Sequence, residues 1–225
     1  MPRPLFDPLT VPVDCVPGEA ALPSERLDGA WLRERLAHQP PWTVEDDDER
    51  HWRQIGQPQP IREAAVLIAI VLRENGPTLL FTQRNPDLTD HPGQISFPGG
   101  RVEDSDGSPV ETALRETEEE IGLARKHIEI IGQLPQYRTG TGYNVTPVVG
   151  LVTPPFALQT DVREVAEVFE VPLAFLMNGL NHQRHTVKLP GQTARRSFYS
   201  MPFQQYFIWG ATAAMIRNLF HLLRI

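Results

Sequence analysis

From residue 64 onward, unbroken apolar runs and segments with helical spacing succeed one another without a regular strand–helix–strand rhythm. Residues 64–72 (AAVLIAIVL) form a continuous apolar run, and residues 78–83 (TLLFTQ) follow across the turn Glu74-Asn75-Gly76-Pro77. Two such runs joined by a Gly-Pro turn predict a buried hairpin or a pair of adjacent strands. Further strands are predicted over 94–97, 128–134, 145–152 and 165–171, and helices over 109–121, 172–177 and 205–223. Strands interrupted by a few helices predict an α/β or α+β fold in which a mixed β-sheet lies sandwiched between α-helices.

Residues 1–60 have another texture. Prolines recur at positions 2, 4, 8, 12, 17, 23, 40, 41, 58 and 60, and an acidic run spans residues 45–49. Residues 28–36 alone have helical spacing, with Trp31, Leu32 and Leu36 sharing a face. The expected organisation is a Pro-rich extension with one short helix over 1–60, and a single domain over 61–225. The acidic run is expected to be a solvated loop.

The formal net charge is −7 and no basic stripe is present, which argues against a protein that tracks nucleic acid. An acidic protein that handles phosphate esters meets repulsion, which bound Mg²⁺ or Mn²⁺ commonly relieves. Cys15 is the only cysteine, so neither an intramolecular disulfide nor a cysteine metal site can form. The N-terminus lacks the apolar stretch of a secretory signal. The most hydrophobic segment, 207–223, is broken by Arg217, Asn218 and His221 and falls short of the roughly 20 apolar residues a membrane span needs. A cytoplasmic protein without membrane contact is expected.

The most informative segment is 97–123. Ser108 is a suitable N-cap, Pro109 suits the first helical position, Glu111 would complete a capping box, and Gly122 is a natural left-handed stop. The 3.6-residue period places Val110, Leu114, Thr117 and Ile121 on a buried stripe, and clusters Glu116, Glu119 and Glu120 on roughly the opposite side. A solvated acidic face is the plain reading of such a cluster. Against it, like charges at i,i+4 cost about 0.2–0.5 kcal/mol per pair. Anions in the last turns cost about 0.3–1 kcal/mol each against the helix dipole. No lysine between residues 102 and 125 offsets them. Clustered carboxylates are hard ligands suited to Mg²⁺ or Mn²⁺, so spacing leaves two readings, a solvated face and a metal site.

Arg115-Glu116-Thr117-Glu118-Glu119-Glu120-Ile121-Gly122-Leu123 resembles the second half of the Nudix box, Arg-Glu-apolar-any-Glu-Glu-any-Gly-apolar, and Gly99-Gly100 matches the glycine turn that opens it. The resemblance implies a Nudix fold and a metal-dependent pyrophosphohydrolase. In it Glu116 and Glu120 are the main metal ligands, and Glu119 is a further ligand or the group that deprotonates water. Arg115 orients the glutamates. The chain departs from the box at Gly107, where a glutamate is usual. Acids stand instead at Glu103, Asp104 and Asp106, and the glycine-to-arginine spacing is one residue longer, so Glu103 and Asp106 are candidates for the supporting role or loop acids that stabilise a turn.

Residues 79–100, which include Arg84, His91-Pro92-Gly93-Gln94 and Phe97-Pro98-Gly99-Gly100, look like the signature of the coenzyme A pyrophosphatase branch of that family. Residues 143–149 (YNVTPVV) and 207–213 (FIWGATA) also suit it, so the likeness runs from about residue 64 to the end of the chain. It implies hydrolysis of the diphosphate of coenzyme A or an acyl-CoA to 3′,5′-ADP and 4′-phosphopantetheine. ADP-ribose or dinucleotides are alternative substrates, and a non-catalytic nucleotide-binding domain is the alternative of another class. Arg84 and Arg101 are candidate phosphate clamps, since guanidinium binds such oxygens bidentately, and His91 is a candidate phosphate donor. Tyr137 and Arg138, before a Gly-rich loop, are weaker candidates. Trp209 is expected in an apolar helix as core. Glu164 and Glu167 are candidates for a downstream base. A homodimer is compatible with all of this.

Overall fold

The computed structural model describes residues 6–45, 60–89, 91–188 and 195–225. The predicted run at 64–72 becomes β2 (Arg62–Val71), following the short strand β1 (Val13–Cys15) of the leader. Strand β2 pairs antiparallel with β3 (Thr78–Arg84) and parallel, over its whole length, with β8 (Tyr143–Val152). Ala64, Ile68 and Ile70 enter one buried cluster, and Ala65, Leu67, Ala69 and Val71 the other. A strand covered on both faces needs no polar alternation, hence its unbroken apolar sequence.

The larger sheet runs β4 (Ile95–Ser96), β3, β2, β8, β6 (Ile128–Gln133). Strand β5 (Gly99–Arg101) adds to β2, β7 (Tyr137–Arg138) to β8, and β9 (Val165–Pro172) to β3. Leucine and valine side chains of one face meet Ala113 and Ile121 of α2 (Pro109–Ile121). The other face meets α4 (Gly210–Arg224), which follows the single-turn α3 (Leu173–Leu176). The expected mixed sheet between helices is thus the observed architecture.

A second sheet, β1, β10 (Gln183–Lys188), β11 (Arg195–Phe203), β12 (Tyr206–Trp209), has no counterpart in the sequence reading. The helix expected over 205–223 is corrected accordingly. Its first residues pair with β11, and α4 begins only at Gly210, whose φ of 62° turns the chain out of the strand. Trp209 therefore ends a strand and meets Phe6 and Phe198 edge-on rather than lying within a helix.

In the leader, α1 (Gly29–Ala37) forms where expected, with the Asp28 carboxylate accepting from Ala30 N at 2.8 Å. Leu22, Leu27, Leu32 and Leu36 belong to the larger core cluster, so the described leader is packed into the domain. Of the acidic run, Glu45 is described and bound by partners treated below, while 46–49 lie outside the described residues. No helix among the described residues is long and apolar enough to cross a membrane.

Candidate active site

Helix α2 begins as its sequence dictates. Ser108 Oγ accepts from Glu111 N at 3.2 Å, Pro109 opens the first turn, and Gly122 closes the last with φ of 67°. The capping box closes on one side only, because the Glu111 carboxylate pairs with Arg125 at 2.7 Å.

The helix is rotated from the face assignment its spacing suggests. Thr112, Ala113, Thr117, Glu120 and Ile121 are buried, whereas Val110 and Leu114 are half-buried. Glu120, only 4% exposed, lies on the buried side, Glu116 lies at its margin, and Glu119 alone is exposed. The reason is the strand α2 rests on. β5 has glycines at 99 and 100, and that edge of the sheet lets the glutamate side of the helix approach. A Cβ at Gly100 would fall on the Glu116 carboxylate. Gly99 N donates to Glu120 Oε2 at 3.1 Å. Thr117, polar where the box has an apolar residue, donates its hydroxyl to Ala113 O at 2.6 Å and is satisfied within the helix.

Arg115 holds the acidic groups together. Its Nε and Nη2 donate to the two oxygens of Asp106, each at 2.9 Å, and Nη2 also donates to Arg101 O at 3.1 Å. Its Nη1 donates to Glu116 and to Glu119, each at 3.0 Å. Asp106 also accepts from Thr112 Oγ1 at 2.8 Å and Glu103 N at 2.9 Å, and its carboxyl is held well below the usual range, foremost by the Arg115 guanidinium. Glu103 is only at the fringe, 4.0 Å from Arg115. Asp106 therefore fills the anchoring position, reached from one turn of loop before the helix.

Glu120 is poorly compensated. Arg84 Nη1 lies 3.9 Å from Glu120 Oε1, too far for a hydrogen bond, and Arg84 Nε is buried without a partner among the described residues. Burial pushes the Glu120 carboxyl up to about 8, the Gly99 N–H and Arg84 oppose this, and the charges of Glu116 and Glu164 add to it. Burial likewise raises the Glu116 carboxyl, with Arg115 opposing it and Glu119 and Glu164 adding to the rise.

Glu164 enters through the backbone. The loop after β8 caps the end of α2, with Gln159 N donating to Ile121 O and Asp161 N to Glu120 O, both at 2.9 Å. Glu164 N then donates to Asp161 O at 3.0 Å, and Asn85 N donates to Glu164 O at 2.8 Å. The ends of β3 and α2 and the start of β9 thus bring Arg84, Glu120 and Glu164 into one neighbourhood. Of the two downstream acids, Glu167 is engaged elsewhere, accepting from the Tyr206 hydroxyl at 2.6 Å.

The remaining candidates separate. His91 sits between β3 and β4 with φ of 56°, and its carbonyl accepts from Gln94 N at 3.3 Å. Arg101, at the end of β5, turns its guanidinium to the Tyr143 hydroxyl at 2.8 and 3.1 Å. Tyr137 is buried in β7 opposite Val145, and Arg138 beside it is exposed opposite Asn144.

Among the described residues no three His, Cys, Asp or Glu side chains converge closely enough to hold an ion. Glu116 and Glu119 turn onto Arg115, and Glu120 onto Gly99. The donor set nevertheless fits a divalent cation in kind. It consists of oxygen ligands only, with two of the carboxylates carrying a desolvation cost that a cation would remove.

The NUDIX domain family model matches residues 61–184. Nudix hydrolases named NudL from Escherichia coli K12 and Shigella boydii, both described as uncharacterized, are 44% identical over 158 residues, 70% of this chain and 81% of theirs. A solved Nudix hydrolase from M. smegmatis, RenU, aligns with a TM-score of 0.43 at 22% identity, over 51% of this chain and 73% of its own. On the family model and the extent of identity to the NudL proteins, the chain belongs to the Nudix hydrolases.

Proposed function

We propose that the protein is a divalent-metal-dependent diphosphatase whose substrate is coenzyme A or an acyl-CoA. Nudix hydrolases act on nucleoside diphosphate derivatives and generally use ions such as Mg²⁺ or Mn²⁺. The observation that carries the reading is the meeting of Arg84 with Glu120 at the mouth of α2. Arg84 belongs to the run 79–100, whose likeness is to the coenzyme A branch, and Glu120 belongs to the box. A guanidinium with a free buried Nε, beside carboxylates suited to a cation, matches what a diphosphate needs.

Glu116 and Glu120 would hold the ion, with Glu119 as a further ligand. When bound, the ion supplies Lewis-acid neutralisation of the diphosphate charge. Arg84 holds oxygens of the diphosphate, with His91 as an additional donor, and Arg101 holds another phosphate oxygen of the substrate. Arg115 fixes Glu116 and Glu119 by its Nη1 while Asp106 fixes Arg115. Glu119 or Glu164 takes the proton from the attacking water as its oxygen bonds to phosphorus in line with the departing phosphate. The P–O bond of the bridging oxygen breaks, and the two products each leave with a phosphate. No protein nucleophile is needed, and the rate comes from positioning and electrostatics. The catalytic domain is expected to span 61–225, with 1–60 as a Pro-rich extension.

The test is incubation with coenzyme A, ADP-ribose and dinucleotides in Mg²⁺ or Mn²⁺, with identification of products. Release of 3′,5′-ADP and 4′-phosphopantetheine, faster than cleavage of the other substrates, is expected. Faster cleavage of ADP-ribose or a dinucleotide would overturn the substrate assignment.

A further inference from the structure

Two arginines beside the acidic site have no counter-ion among the described residues and share one tyrosine. The Arg62 guanidinium lies 4.2 Å from the Tyr143 ring centroid and that of Arg101 lies 5.6 Å away. Arg101 gives two donors to the Tyr143 hydroxyl, and Arg62 Nη2 gives one to Thr141 O at 3.2 Å. Neither has a carboxylate within ion-pair distance among the described residues, although the chain has an acidic excess and other arginines, such as Arg33, Arg73 and Arg125, are paired. Each guanidinium has five N–H donors, so both keep donors that no described group takes.

The sheet sets their place. Arg62 pairs with Tyr143 across β2 and β8, and Ala64, two residues on, pairs with Arg101 across β2 and β5. Alternation along β2 puts Arg62 on the face of Ala64, a member of the larger core cluster, and so on the side away from α2. Arg101 nevertheless follows Gly100, over which the Glu116 carboxylate lies, by one residue, about 3.3 Å of strand. Its own carbonyl accepts from Arg115. The three residues of β5 thus have the carboxylate cluster at one end and the arginine–tyrosine stack at the other.

The loop that positions the stack is braced. Tyr143 N donates to Thr139 Oγ1 at 3.0 Å, Arg62 N donates to Gly142 O at 3.0 Å, and Gly142 has φ of 95°. Two guanidiniums held by an aromatic ring, that of Arg101 exposed and that of Arg62 half-buried, suit a phosphate monoester. Its dianion accepts paired N–H bonds that a single hydroxyl cannot match.

We propose that the Arg62–Tyr143–Arg101 stack is a second phosphate subsite, which takes a phosphomonoester carried by the substrate in addition to the diphosphate that is cut. The inference rests on the diphosphatase reading above and assigns the selectivity for a phosphorylated ribose to Arg62, Tyr143 and Arg101, none of which fills a specified position of the Nudix box. Coenzyme A carries such a group and dephospho-coenzyme A lacks it.

The experiment compares kcat/KM for coenzyme A and dephospho-coenzyme A on one preparation of wild type, Arg62→Ala and Arg62→Lys. The ratio cancels any fraction that fails to fold. The wild type is expected to favour coenzyme A by roughly tenfold or more, the worth of a charge-assisted hydrogen-bond pair. Arg62→Ala should bring the ratio close to one, and Arg62→Lys should restore it in part. A wild-type ratio near one, or a ratio unmoved in Arg62→Ala, overturns the proposal while leaving the diphosphatase reading intact. Calorimetric binding of 3′,5′-ADP, against AMP with equimolar inorganic phosphate, reads the subsite without turnover. If coenzyme A is not cleaved yet 3′,5′-ADP binds more tightly and Arg62→Ala removes the difference, the subsite stands and the substrate assignment falls. No difference in that comparison sinks the subsite.

Discussion

Glu120, a proposed metal ligand, is kept at a cost to the fold. Its carboxyl is buried, receives one backbone hydrogen bond, and lies too far from Arg84 for a second. With its folded pKa pushed up to about 8 from an ordinary 4.5, its penalty is absent at low pH and grows as pH rises through that interval. Glu120→Gln is therefore expected to abolish metal-dependent hydrolysis and yet raise the Tm of the metal-free protein at pH 8. At this chain length each kcal/mol gained adds about 2–4 °C. Differential scanning calorimetry at pH 5 and pH 8 checks it, and a Tm lowered at pH 8 would contradict it. Asp106 has the converse role, since it touches Arg115 and not the proposed ligands. Asp106→Asn should cost roughly 10–100-fold in kcat or metal affinity, the usual effect of a group that orients ligands. Steady-state kinetics across a Mn²⁺ series separates the two. Arg115 and its glutamates were legible in the sequence. Asp106 was one of two acids, with Glu103, that could stand in for the usual glutamate, and only the loop geometry shows that Asp106 is the one that anchors Arg115.

At the scale of elements, β5 is the part on which α2 depends. Gly100 has no side chain because the Glu116 carboxylate occupies that space. Gly100→Ala should displace that flexible carboxylate with little loss of fold and reduce kcat by about a hundredfold, a cost of order 3 kcal/mol. Unchanged kinetics would mean that the position of Glu116 is immaterial. The caps of α2 follow directly from Ser108, Pro109 and Gly122, and those residues were enough to place its ends. Its rotation was not legible, because Val110 and Leu114 look more apolar than Thr112 and Glu120, and only the glycine-lined strand decides which side goes down. The second sheet escaped for a related reason. Residues 205–223 read as one apolar stretch, but Tyr206 stacks on Phe169 at 3.5 Å between centroids and Ile208 pairs with Met201, so distant partners fix the strand. Short apolar runs do not separate strand from helix without those partners.

Across the whole molecule, the polar residues that interrupt the C-terminal apolar run receive the leader. Arg217, 3% exposed, pairs with Glu19 at 3.0 Å and Glu45 at 2.8 Å and meets His182 Nδ1 at 3.0 Å. His221 and Tyr199 also bind Glu45, and Asn218 accepts from its backbone N–H. In composition Arg217, Asn218 and His221 only argued against a membrane span, and their partners in the leader lie more than 170 residues earlier. Burial lowers the His182 imidazole to about 4, helped by the Arg217 charge and opposed by its bond to Leu176 O. Because that folded value lies below the ordinary 6.5, the stability this group contributes is present above pH 6.5 and is lost as pH falls toward 4. Glu45, held down to about 2, adds a loss below pH 4.5. Between pH 6.5 and 4.5 this loss opposes the gain from Glu120, so stability measured by urea unfolding should fall more, or rise less, toward low pH in the wild type than in His182→Asn. An equal slope in the variant would remove His182 from the account.

The claim on which the rest depends is that the glutamates of α2 hold a divalent cation for hydrolysis. Equilibrium titration with Mn²⁺, read as free ion by electron paramagnetic resonance, tests it in wild type, Glu116→Gln and Glu120→Gln, with coenzyme A turnover measured on the same samples. Saturable binding in the wild type, weakened at least tenfold in both variants together with loss of turnover, is the predicted result. Wild-type affinity and wild-type rates in either variant would contradict it.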